Sequence, residues 1–336
     1  MLKLGVVTRR GVRRPRTLLG RRRYVSFLLL PELAHDPQTH ADEYDRLAGH
    51  ACMPNGVWKL TQHGRLRVLD KVVLDALRTR YAPGTQLTVC DLAASMGATS
   101  VELFHLLRER FSVHFTASDL YRDLIAVRSR RWPAALIFDG CGQEVQYICG
   151  PFVLPNAPAE SIAYPVNRFL KVMMRRFFAP RARSLLHNVD VKRVRPFETL
   201  DAGGYEITRL PMLTRETLEV IAAHDGFTFE EWNILEPLPQ RAHVVRAMNI
   251  LTPEHFSDEQ RARAVRNCVQ ALLPGGIFVV GSSPSPDPDS VKASIYVREN
   301  DHVVRVGSLN DGSDIDDLIA AVYGAGEMST AVASSA

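Results

Sequence analysis

Cysteine is scarce in this chain: five in 336 residues (Cys52, Cys90, Cys141, Cys149 and Cys268), none in C-x-x-C spacing. An odd, unspaced set excludes a disulfide framework, offers no zinc-ligand pattern and fits a reducing compartment. The expected location is therefore the cytoplasm, with no metal. No apolar run reaches the ~20 residues that a spanning helix needs; Tyr24 to Leu30 is the longest near the start, and Pro31-Glu32 ends it. There is no G-x-G-x-x-G, and no Ser/His/Asp or Cys/His constellation of the kind nucleophilic catalysis uses. Nor is charge of one sign in strong excess, since the formal net charge is only +4. With nearly half its residues apolar, the chain can bury one large domain with additions, or two modest ones.

The local exception to the charge balance is the beginning. Arg9, Arg10, Arg13, Arg14, Arg16, Arg21, Arg22 and Arg23 crowd the start and superficially suggest a twin-arginine export signal. The apolar segment behind them is short, and no small-x-small cleavage site follows. Residues 1–32 read as a disordered basic arm able to touch RNA, anionic lipid or an acidic partner, or as sequence ahead of the true start.

The organising stretch runs from Leu87 to Leu107. Leu-Thr-Val-Cys-Asp is a short strand ending in Asp91. Leu92-Ala-Ala-Ser-Met-Gly97 is a turn of small residues, and Val101 to Leu107 is an apolar-faced helix. An acid at a strand tip, followed by residues small enough for a ligand to approach the backbone, is how open α/β sheets hold nucleotide-like cofactors. Val113 to Asp119 reads as a second strand with an acid at its tip. Asp119 lies about 20 residues beyond Gly97, the interval at which an acid grips ribose hydroxyls. The competing reading makes Asp119 the cap of a helix beginning near Tyr121.

Around that stretch, Gly56 to Tyr81 carries a helical pattern whose upstream end, Val57-Trp58-Lys59, is either a lid or core packing. Ala134 to Val153 reads as a hairpin, with turn signals at Asp139-Gly140 and Cys141-Gly142. Val166 to Phe178 reads as an amphipathic helix, with Phe169, Leu170, Met173, Phe177 and Phe178 on one side and Arg168, Lys171 and Arg175 on another. Such a basic helix can lie on an anionic membrane surface, bind an acidic partner, or simply pack against a domain. Further on come a helix at Thr214 to His224, strands at Phe227 to Leu235 and His243 to Ile250, and a helix at Ser257 to Leu273 whose Ser257 and Gln260 fit a capping box. A strand at Ile277 to Val280, a hairpin at Val291 to Val306 and a helix at Ile315 to Tyr323 complete the pattern. The expected divisions are a basic arm at 1–32, a helical lead-in and first half-domain at 33–139, an inserted cap at 140–201, a second half-domain at 202–323 and a disordered tail at 324–336.

This order resembles the class I S-adenosylmethionine-dependent methyltransferases: α/β, with a Rossmann-like seven-stranded sheet, an antiparallel C-terminal hairpin and here an inserted cap. Within that class the chain is most similar to the chemoreceptor glutamate methyltransferase (CheR-type) catalytic domain. The likeness rests on the glycine-poor turn Leu92 to Gly97, Ala117-Ser118-Asp119, Asn233-Ile234-Leu235, Met248-Asn249-Ile250 and Leu272-Leu273-Pro274-Gly275-Gly276. Met248 stands where that family has arginine, and its aromatic-Phe-Arg motif has only Trp58-Lys59 as a counterpart. The resemblance therefore implies the cofactor but not the chemotaxis substrate. It implies that Asp91, Ala93, Ser95 and Gly97 flank the methionine end of S-adenosyl-L-methionine. Asp119 and Leu120 would then meet the ribose, Asn233 and Ile234 the adenine, and Asn249 would lie near the methyl group. The implied reaction is O-methylation of a carboxylate or hydroxyl on a protein or small molecule, with no catalytic base assigned; His243, His255 and Tyr121 are the nearest candidates.

Two absences narrow the acceptor. Exocyclic-amine nucleic-acid methylases resemble (Asp/Asn)-Pro-Pro-aromatic at the fourth strand, where this chain has Met-Asn-Ile-Leu. Cytosine C5 methylation needs a cysteine nucleophile, and none lies between Val244 and Phe256. Methylation of a nucleic-acid base is thus not expected, while a hydroxyl of RNA stays open as a minor alternative acceptor. The alternatives are a non-catalytic methyltransferase-like interaction module and a nicotinamide-dependent oxidoreductase.

Overall fold

The computed structural model describes residues 26–35, 37–49, 51, 53, 59, 62–150, 152–156 and 165–324. Most of the basic arm, Trp58 and the tail beyond Gly324 lie outside these residues.

Two short helices come first, α1 (Leu30–His35) and α2 (Pro37–Gly49). The second opens on a proline, which a first helical turn tolerates because its N–H would be unpaired anyway. α3 (Arg67–Arg78) buries Leu69, Val73, Leu74 and Leu77, a single stripe at helical spacing. Then come β1 (Gln86–Leu92), α4 (Ala98–Arg108) and β2 (Ser112–Asp119).

After β2 no helix begins near Tyr121. The chain enters β3 (Asp123–Ser129), β4 (Ala134–Asp139), β5 (Glu144–Cys149) and β6 (Phe152–Pro155). Leu124, Ala126 and Val127 are buried, and β3 pairs on both edges, with β4 and with β8 (Tyr205–Pro211), so sheet pairing overrides the helical reading. Between β6 and β8 lie α5 (Pro165–Met173), a π-helical turn at Met174–Phe178, α6 (Ala179–Asn188) and β7 (Thr199–Ala202). Ala179 N–H bonds to Met174 O, five residues back, and Pro180 beside it has no N–H to offer Arg176 O. The remaining elements are α7 (Arg215–Ala223), β9 (Phe227–Glu231), β10 (Ala242–Met248), α8 (Asp258–Ala271), β11 (Leu272–Ser282), β12 (Lys292–Glu299), β13 (His302–Leu309) and α9 (Asp316–Tyr323). Both halves of the capping box form at α8: Ser257 Oγ accepts from Gln260 N, and Gln260 Oε1 from Ser257 N.

The chain forms two compact units. One, Thr61–Leu120 with Glu216–Ala336, holds a seven-stranded sheet in the order β13-β12-β11-β10-β1-β2-β9. The strands from β9 to β11 are parallel; β12 and β13 continue as an antiparallel hairpin. Numbered along the chain within this sheet, the order is 3-2-1-4-5-6-7, the doubly-wound arrangement extended at one edge by a reversed strand, β12, and a last strand, β13, that turns back to the common direction. Pro274-Gly275-Gly276 lies in the opening residues of β11, where its register against β10 shifts. A Cβ on Gly276 would stand 2.8 Å from Leu273 O, so only glycine fits.

The other unit, Met1–Leu60 with Tyr121–Arg215, holds a wholly antiparallel sheet in the order β6-β5-β4-β3-β8-β7. Val127, Leu136, Phe138 and Tyr147 on its face pack with Met174, Phe178, Ala179 and Ala182 from the helical segment. The insertion is therefore a domain with its own core. Its sheet begins at Asp123 and ends at Pro211, outside the expected limits of 140–201 at both ends.

Candidate functional site

In a doubly-wound sheet the crevice lies outside the carboxyl ends of the strands, where the strand order reverses. Here that place is between β1 and β10, and the residues leaving those strands and their neighbours β2 and β9 form the candidate site.

The turn after β1 is the most constrained backbone in the region. Ala93, Ser95 and Gly97 all have positive φ, at 56, 57 and 87°. The tip of β2 holds it in place: Ala94 N–H donates to Ser118 O at 2.8 Å, and Ser95 N–H to Asp119 Oδ2 at 2.8 Å. Gly97 then caps α4 without any side-chain bond. A Cβ there would meet the Thr217 side chain at 2.7 Å and Phe229 at 3.2 Å, while Thr217 Oγ1 itself donates to Met96 O at 3.0 Å. The glycine is thus required twice, for its φ and for the close approach of α7.

Asp91 is not at the surface of the crevice. It is 3% exposed, and Arg246 on the adjacent β10 grips both its oxygens, Nε to Oδ1 at 2.8 Å and Nη2 to Oδ2 at 2.6 Å. Ser100 Oγ donates to the same Oδ2 at 2.5 Å. Arg246 reaches on to Asp70 Oδ1 at 2.7 Å and Thr99 O at 3.0 Å, tying β1, β10, α3 and the first turn of α4 into one buried cluster. Burial would lower the Arg246 pKa, but Asp91 and Asp70 hold it above the ordinary value. Asp70 is pushed up to about 7, by burial first, against the pull of Arg246 and with the push of Asp91 and Glu102. Three of the roughly four acceptor positions of the Asp91 carboxylate are thus taken inside the core, and the side chain positions the β1 turn.

The other expected residues divide. Asp119 is at the tip of β2, beside the turn, with Leu120 next to it. Asn233 lies beyond β9, which ends at Glu231 and not at Leu235; its Oδ1 accepts Leu235 N–H at 3.0 Å in an Asx turn. Ile234 is 7% exposed and packs into the core around α8. Asn249 immediately follows β10 with φ 59°, and its Oδ1 accepts Ser283 N–H at 2.5 Å. His243 sits at the opposite end of β10, where Nδ1 accepts Thr88 N–H at 3.0 Å. It is not at the carboxyl edge, and burial lowers its pKa. Lys59 belongs to the other unit, its ammonium 5.9 Å from the Tyr121 ring centroid.

Three polar atoms on the loops at this edge are buried without a partner: Trp232 Nε1 after β9, Asn249 Nδ2 after β10, and Thr252 Oγ1 in the loop that follows. Buried polar groups are almost always satisfied, so three orphans along one sheet edge suit a ligand that offers acceptors. Of these, the sequence pointed only to Asn249. Trp232 and Thr252 carry no spacing signal of their own. Arg246 did carry one: a charged residue inside the apolar run His-Val-Val-Arg-Ala-Met.

No protein-family model matches the sequence, and no curated protein does. Solved structures that resemble it include the N-methyltransferase NodS of Bradyrhizobium japonicum WM9 in complex with S-adenosyl-L-homocysteine, at a TM-score of 0.28 and 12% identity over 67% of this chain and 65% of that one. Others are CalS10, a SAM-bound amino pentose methyltransferase from Micromonospora echinaspora (0.28, 12%, 73% and 61%), and the pyocyanin biosynthetic protein PhzM (0.29, 9%, 66% and 40%). This chain spans less than two thirds of each of them.

Proposed function

We propose that this protein is an S-adenosyl-L-methionine-dependent methyltransferase that binds its cofactor along the carboxyl edge from β10 to β9. The observation that carries this reading is the set of orphaned donors at Trp232, Asn249 and Thr252, on the same edge as the strand-tip acid Asp119. The residues present suit such a ligand. Asp119 is the acceptor for ribose hydroxyls, with Leu120 beside it. Ala93 to Gly97, small and bent back, let the amino-acid end approach the backbone. Asn233 and the Trp232 indole lie on the loop suited to adenine, where Ile234 provides backing from the core. Asn249 Nδ2 is the donor at the strand-order reversal. The cofactor, when bound, supplies a methyl group already activated by its sulfonium charge. The protein's share is alignment and exclusion of water, which needs no nucleophile and no assigned base.

The acceptor is a carboxylate or hydroxyl on a protein or small molecule. In support, Met248-Asn249-Ile250-Leu251 lacks both the Pro-Pro-aromatic and the cysteine of nucleic-acid base methylation. A CheR-type relationship rests on Ala117-Ser118-Asp119 and the Pro-Gly-Gly at β11.

Calorimetric titration with S-adenosylhomocysteine and, separately, NADH tests the proposal. We expect saturable binding of the first and none of the second. Asp119→Ala should weaken binding about tenfold or more, as for loss of hydrogen bonds to a charged group. Asn249→Asp, which keeps the acceptor for Ser283 but removes the orphaned donor, should also weaken it. NADH binding in place of S-adenosylhomocysteine would make the protein an oxidoreductase. Binding with no transfer of tritiated methyl to any extract component would make it an interaction module.

A further inference from the structure

The helical segment of the antiparallel unit presents two unlike faces. Met174, Phe178, Ala179 and Ala182 face the sheet, and Lys171 is buried with its ammonium 5.8 Å from the Tyr147 ring centroid. Glu144, itself buried, anchors the segment by accepting Arg175 at 3.3 Å and also pairing with Arg183. Nothing comparable holds the outer face. Phe169, Val172, Met173 and Phe177 are 62, 54, 42 and 62% exposed, at the i, i+3, i+4, i+8 spacing of one stripe. A globular surface scatters exposed apolar side chains singly; a row of four on one helix marks a contact surface.

Charge identifies what that surface meets. No aspartate or glutamate occurs from Ser161 to Val189, a stretch that carries five arginines, one lysine and one histidine. Arg168, Arg176 and Arg181 are exposed and form no ion pair among the described residues. Apolar side chains standing out from a convex helix, with unpaired arginines beside them, match an interfacial amphipathic helix lying in the plane of an anionic bilayer. An apolar groove for a protein segment would be concave instead. No described helix is long and apolar enough to cross a membrane.

We propose that the outer face of residues 168–181 is a docking surface for anionic phospholipid membranes, with Phe169, Val172, Met173 and Phe177 entering the headgroup–acyl boundary and Arg168, Arg176 and Arg181 facing lipid phosphates. It places the protein at a membrane surface reversibly, and binding weakens as salt screens the arginines. The inference is independent of the cofactor assignment.

Co-sedimentation of the full chain with vesicles of phosphatidylcholine alone, or of phosphatidylcholine with 30% phosphatidylglycerol, tests it. We expect binding to the anionic vesicles only. The double variant Phe169→Ser/Phe177→Ser should weaken it tenfold or more. Arg168→Gln and Arg176→Gln should each weaken it about fivefold. These side chains are exposed, and unchanged circular dichroism and melting would confirm that the variants fold. Three results would overturn the proposal: no anionic binding by the wild type, equal binding to both vesicle types, or binding that survives the phenylalanine changes, which would assign it to the basic arm. A vesicle-independent dimer that the same double variant abolishes would assign the face to self-association instead.

Discussion

Each compact unit buries acidic groups against arginine, but the cluster at Arg246 and the cluster at Glu144 differ in whether the cation is buried as well. In the parallel unit the cation is inside: Arg246 is fully buried, and its donors are divided among Asp91, Asp70 and the Thr99 carbonyl. In the antiparallel unit the anion is inside: Glu144 is buried, but the side chains of Arg175 and Arg183 that meet it are more than half exposed. A buried charge must keep its partners or be left uncompensated in a medium of low polarity, whereas exposed arginines can return to water. The first cluster therefore fixes one backbone arrangement, the β1 turn against α4. The second only steers a helix onto a sheet.

Removing Arg246 is the harshest way to break that contrast. Arg246→Met should cost about 3–5 kcal/mol, measured by urea unfolding, and should abolish cofactor binding by releasing the turn. Gly97→Ala comes next. It combines an unfavourable φ with a clash against Thr217, for about 2–4 kcal/mol by the same measurement.

The pH dependence sharpens the comparison. Asp70 rises from an ordinary 3.8 to about 7, so between those values the folded protein holds a proton that the unfolded chain releases. This contribution to stability is full below pH 4 and declines as the pH rises to about 7. Asp70→Asn should flatten that decline in a series of denaturation curves, and a slope unchanged by the substitution would contradict the assignment. Glu144→Gln should have the smallest effect, about 1 kcal/mol, because its arginines can regain water. A loss as large as that of Arg246→Met would erase the distinction between the two clusters.

The parallel unit was legible because its strands announce themselves locally. Leu87 to Asp91 and Val113 to Asp119 are short apolar runs ended by acids, and Ser257 with Gln260 marks a helix start. The antiparallel sheet was legible only at its hairpin from Ala134 to Val153. Tyr121 to Val127 follows a strand in the place where an α/β pattern puts a helix, and nothing local reveals its pairing with residues from Tyr205 to Pro211. For the site, an acid at a strand tip tells the reader where it is along the chain but not which way it faces. Asp119 ends β2 beside the turn, while Asp91, one residue short of its strand's end, is turned into the core by Arg246. That arginine, conspicuous in an apolar strand, was the signal that could have separated the two acids.

Ultraviolet crosslinking of tritiated S-adenosylmethionine, followed by peptide mapping, tests the central claim most directly. We predict label, competed by S-adenosylhomocysteine, in peptides spanning Ala93 to Gly97, Asp119 to Leu120, Trp232 to Leu235 or Asn249 to Thr252. Competed label confined to residues between Asp123 and Pro211, or no competed label at all, would contradict a cofactor site on the carboxyl edge of the parallel sheet.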